Sequence, residues 1–147
     1  MIVLRVYNGV KQHWQIRATE WLMVWPSILL AAALIYQRDM FIDSPSFRIL
    51  QSWATQPGWA IWLLLVALVR LIALVVNGTF QGFKYSPHMR VTASYCGLAF
   101  WGFFCIGFLG SAYNGIGSWS FPVAYSTLVL METLNIYRSW SDVLRKP

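Results

Sequence analysis

The chain has 147 residues, 58% hydrophobic and only 11% charged, far from the roughly 25% charged of an average soluble domain. Nine tryptophans, nine phenylalanines and seven tyrosines suit a protein with two polar interfaces to line. The net charge of +6 is scattered between apolar runs, which excludes a compact basic nucleic-acid-binding domain and leaves the anionic headgroups of a lipid bilayer as its partner. The pattern predicts an all-α integral membrane protein with four transmembrane helices, an N-terminal amphipathic surface helix and a short interfacial helix in the first external loop.

Residues 1–17 are too polar to span a bilayer, but Val3, Tyr7, Val10 and Trp14 recur at the spacing of one helical stripe. Arg5, Asn8, Gln12 and Gln15 lie opposite, and Lys11 and Arg17 flank the apolar sector. The segment reads as a helix lying on a membrane surface, with Arg5, Lys11, Trp14 and Arg17 as anchors. The first span covers 21–36, is short enough to draw on Ala18–Glu20 or on Gln37, and carries Pro26, which predicts a kink in its first half. In the polar connection that follows, Ser44-Pro45 is a helix start with proline at the first position. From 46 to 55, Phe47, Ile49, Leu50, Trp53 and Ala54 share one half of the helical wheel, which predicts the interfacial helix, anchored by Trp53.

The run GWAIWLLLVALVRLIALVV, 58–76, is the second span, long enough to cross about 30 Å of hydrocarbon and interrupted by Arg70. Asn77-Gly78 is a helix-stop signal. The third span is 91–110, in which Ala93 and Gly97, then Gly107 and Ser111, are small residues four apart, a spacing that admits close helix approach. Cys96 and Cys105 lie on opposite sides of that helix and read as buried thiols unable to bond to each other. The fourth span is 121–137, and a basic tail, 138–147, closes the chain.

Four spans place both termini on one side. Arg5, Lys11, Arg17, Lys84, Arg90, Arg138, Arg145 and Lys146 fall on that side, against Arg38 and Arg48 on the other, so the positive-inside rule puts both termini in the cytoplasm. On this topology Arg70 and Glu132 sit on parallel helices about 9 and 7.5 Å from the inner end, with Asn135 one turn from Glu132 and Tyr95 at a similar level. Arg70, Tyr95, Glu132 and Asn135 form the predicted intramembrane polar cluster. Three readings of it are open: a structural clasp, a snorkelling arginine beside an unrelated glutamate, or an ion or proton path.

No catalytic signature is present: there is no HExxH, GxSxG or phosphate loop, and no aspartate lies in a span. His13 and His88 lack the spacing of metal ligands. No metal, cofactor or enzymatic activity is therefore expected. The spans share no motif that would mark inverted repeats.

At QIRATEW (15–21), RLIALVVNGTF (70–80), YSPHMR (85–90) and AYSTLVLMETLNIYRSW (124–140), the chain resembles small polytopic membrane proteins encoded by tailed phages and prophages. The resemblance implies a bacterial inner-membrane setting and a non-enzymatic role. Three roles follow as expectations: modification of the host envelope, for example superinfection exclusion; an accessory subunit docked on another membrane protein; or a homo-oligomeric, holin-like pore.

Overall fold

A computed structural model describes residues 17–79 and 85–145. Every regular element among them is helical: α1 (Ala18–Tyr36), α2 (Met40–Asp43), a 3₁₀ turn (Pro45–Phe47), α3 (Arg48–Trp53), α4 (Gln56–Thr79), α5 (Ser86–Tyr113) and α6 (Ser120–Arg145). The expected surface helix, with Arg5, Lys11 and Trp14, lies outside the described residues. Three of the described helices, α1, α4 over Gln56–Val76 and α5, are long and apolar enough to cross a membrane.

The long helices form a four-cornered bundle. α1 packs on α4, α4 on α5 and α5 on α6, while a smaller α6–α1 contact closes the square. That leaves α1 facing α5, and α4 facing α6, across the diagonals. The end where α1 and α5 begin is called here the base. The opposite end, covered by α2, the 3₁₀ turn and α3, is the cap.

Several boundaries differ from the sequence expectation. α1 starts at Ala18 and continues through Pro26; Ser27 donates to the Met23 carbonyl at 2.8 Å. Pro45 takes the first position of its turn, but the Ser44 side chain makes no capping bond. α4 runs through Asn77-Gly78 to Thr79. α5 stops only after Tyr113, where Gly115 adopts φ 73° and the amides of Gly115 and Ile116 return to the carbonyls of Ala112 and Ser111 at 3.0 Å. A positive φ is costly for residues with a Cβ and free for glycine. Residues 138–145, expected as a tail, continue α6 as helix.

The predicted interfacial helix at 46–55 resolves into the 3₁₀ turn and α3, and its apolar half-wheel faces protein. Leu50 is buried against Gly107, where an added Cβ would lie 2.7 Å from Leu50 Cγ, and Ile49 Cδ1 sits equally close to Gly110. Ser111 donates to the Ser46 carbonyl at 2.8 Å. Gly107, Gly110 and Ser111 of α5 thus admit side chains and backbone of the cap segment instead of a neighbouring long helix. Trp53 remains half exposed, edge-on to Phe103. Gln56 fastens the cap: its amide donates to the carbonyls of Leu34 and Gln37, each at 2.6 Å, and its oxygen accepts from the Phe41 amide at 3.0 Å.

Below the cap the core is aromatic. Phe100, Phe104 and Phe108 repeat every four residues along α5 and are buried. Trp59 meets Phe104 edge-on at 5.2 Å, Phe100 stacks on Phe104 at 4.6 Å, and Tyr125 closes from α6. Such pairs contribute about 0.5–1.5 kcal/mol each beyond area burial. The thiols are not in this core: Cys96 is exposed and Cys105 half-buried.

Candidate functional site: two diagonal ion pairs

The base half of the interior is polar. Arg70 of α4 and Glu132 of α6 are 1% and 0% exposed, and Arg70 Nη2 donates to both carboxylate oxygens, at 2.6 Å to Oε1 and 2.7 Å to Oε2. The same nitrogen approaches the Ala93 carbonyl at 3.4 Å, and Asn135 Nδ2 lies 3.4 Å from Glu132 Oε2. Because α4 and α6 are diagonal, this pair crosses the centre of the bundle. An arginine and a carboxylate there stabilise the fold only as partners, since either charge alone would be stranded in a low dielectric.

Three of the four predicted cluster residues meet. Tyr95 does not: it is 52% exposed on the outer side of α5. The face of α5 that meets the pair instead carries Ala93 and Gly97. A Cβ on Gly97 would collide with Glu132 Oε1 and lie 2.9 Å from its Cδ and 3.0 Å from Arg70 Nη2. Gly97→Ala is therefore expected to lower the unfolding free energy by about 1–3 kcal/mol. Gly102→Ala, which meets nothing within 4 Å, serves as the control and should be neutral or slightly stabilising. Denaturant midpoints in micelles measure both, and equal midpoints would refute the tight fit.

A second network lies nearer the base and joins the other diagonal. Arg90 of α5 grips Glu20 of α1 in a fork, Nε to Oε2 at 2.7 Å and Nη2 to Oε1, while Nη1 donates to Asp142 Oδ2 of α6 at 2.8 Å. Arg90 and Glu20 are buried, whereas the Asp142 side chain is 40% exposed at the rim. Arg138 Nη1 donates to Thr19 Oγ1 at 3.1 Å. Arg17, expected as a surface anchor, is half-buried beside this network. Burial and the neighbouring Arg90 charge lower its pKa, against the pull of Glu20 and Asp142.

The sequence alone does not reveal this network, because Arg90 reads as a headgroup charge and Glu20 as the margin of the first span. One signal was available. Glu132, Asn135, Ser139 and Asp142 follow one another at steps of three, four and three, the spacing of a single helical face. Among the described residues no group of three or more histidines, cysteines, aspartates or glutamates is placed to hold a metal ion. The arrangement ties opposite helices together in the interior, while Leu22, Ile35, Leu65, Leu68, Ile106 and Leu130 point outward. No protein-family model, no curated protein and no solved structure matches the chain.

Proposed function

We propose that the chain is a four-span protein of the bacterial inner membrane, with both termini cytoplasmic, that acts without catalysis on the host envelope as a phage- or prophage-encoded factor of the superinfection-exclusion type. The observation that supports the membrane part of this reading is the inversion of polarity: charged side chains cross the interior in pairs, and large aliphatic side chains cover the outside; the phage-encoded role rests on the sequence resemblance alone. A bilayer rewards that arrangement and water penalises it. α6 is less apolar than the other three long helices, yet its 26 residues reach about 39 Å. Its strongest polar groups, Glu132, Asn135 and Ser139, face inward, so lipid would meet Val123, Leu130 and Leu134. The paired charges hold helices together, which favours a scaffold that presents surfaces to lipid or to another membrane protein.

Expression from an inducible promoter, followed by membrane fractionation and challenge with a broad panel of phages, tests the reading. Recovery in the inner membrane with a fall in plating efficiency for some phages is the expected result. Unchanged plating across the panel overturns the exclusion role. Dye entry on induction would point to a pore, and a stoichiometric co-purifying membrane protein to an accessory subunit.

A further inference from the structure

The polar face of α6 has more hydrogen-bonding capacity than its ion pairs use. Arg70 Nε and Nη1, Asn135 Oδ1 and Ser139 Oγ are all buried and make no hydrogen bond with another protein group. All three residues are at least nine-tenths buried. A buried polar atom left unpaired destabilises the fold, and a bridging water removes that cost. The axial steps fit that bridge. Glu132 to Asn135, Asn135 to Ser139 and Ser139 to Asp142 rise by about 4.5, 6 and 4.5 Å. A water donating to or accepting from two side chains spans about 5–6 Å between them. Both signs of partner are available, with donors on Arg70, an acceptor on Asn135 and a hydroxyl on Ser139.

We propose that this face of α6 holds a file of bound water, an internal hydrated track that runs from the rim at Asp142, past Ser139 and Asn135, to the Arg70–Glu132 pair. The inference rests on the membrane reading above, because only there is the lipid-facing side of α6 dry. The track puts the Glu132 carboxylate in protonic contact with the solution at the base, so the pair is a clasp reached by water from one end. The aromatic core beyond it, from Phe100 to Phe108, closes the track toward the cap.

Cysteine accessibility tests the track in the full chain, with Cys96 and Cys105 first replaced by alanine. Single substitutions Ser139→Cys, Asn135→Cys and Leu134→Cys are made and reconstituted in vesicles. A charged methanethiosulfonate is then added to both sides, so that orientation does not affect the result. The reagent attacks only the thiolate, which forms only where water reaches. Ser139→Cys and Asn135→Cys are expected to react at least about tenfold faster than Leu134→Cys, whose position faces outward at the same depth as Asn135. Slow reaction at all three positions overturns the track and leaves the membrane reading standing. Fast reaction at Leu134→Cys overturns the membrane reading and the track with it. If a substituted chain does not fold, the unsubstituted protein decides by water-edited solid-state NMR on nitrogen-15 arginine, with Arg70 assigned through Val69 and Leu71. Magnetisation passing from water to Arg70 as readily as to exposed Arg138 supports the track, and none reaching Arg70 overturns it.

Discussion

Replacing Arg70 by methionine is expected to cost the folded bundle about 3–5 kcal/mol, and Glu132→Leu a comparable amount, whereas the double variant should recover most of the loss. In each single variant one charge remains at the bundle centre without its partner. Arg70 Nη2 supplies both short bonds to the Glu132 carboxylate, and Asn135 at 3.4 Å is too distant to replace them. With both charges gone neither is left stranded, and replacing a buried pair by apolar residues of similar volume is often neutral or stabilising. Exchanging the charges, with Glu at 70 and Arg at 132, is a poorer test. The pocket beside Gly97 is shaped around a carboxylate on α6, and a guanidinium there would collide with α5. Unfolding midpoints in mixed micelles, compared through the double-mutant cycle, measure the coupling. Equal midpoints for the double variant and the singles would refute the clasp.

What the sequence disclosed, and what it hid, follows from which coordinate of a helix can be read in one dimension. Position along the axis is legible, because 1.5 Å per residue and the bounds of an apolar run fix it. Arg70 and Glu132 share a depth on helices that run the same way, and the pair is made. Azimuth across helices is less legible. Tyr95 has a suitable depth but lies on the outer side of α5, and only the buried set Arg90, Ala93, Gly97, Phe100 and Phe104 marks the inner face.

The cap segment shows the same limit. Its amphipathic half-wheel is present, but a half-wheel does not say whether lipid or protein covers it, and here Gly107 and Gly110 receive it. The helix runs through the Asn77-Gly78 stop signal to Thr79; helix ends fray, and an end signal places them only to within one or two residues. The basic tail is helix because Ser139 and Asp142 prolong the inward stripe of Glu132 and Asn135.

The second large effect is expected at Arg90. Arg90→Met should cost about 3–5 kcal/mol, because it strands the Glu20 carboxylate between α1 and α5. It also removes one of the polar contacts through which α6 reaches the other diagonal, leaving Arg138 on Thr19. Arg90→Lys should restore little of this. An ammonium cannot present the planar fork that meets both oxygens of Glu20 while a third nitrogen reaches Asp142. Glu20→Gln should cost less than Arg90→Met, since Asp142 still offsets the arginine. Asp142→Asn should cost the least, at most about 1 kcal/mol, because that carboxylate is 40% exposed and water takes its place. The ranking separates a buried pair with a solvated third member from a network shared evenly among three. An Asp142→Asn loss as large as that of Arg90→Met would establish the even network. Since α1 and α6 form the smallest contact between neighbouring long helices, Arg90→Met should also loosen that seam first. Amide exchange should then rise at the start of α1 and along residues 138–145 before it rises in α4, and uniform exchange across all four helices would argue against Arg90 as the tie that closes the square.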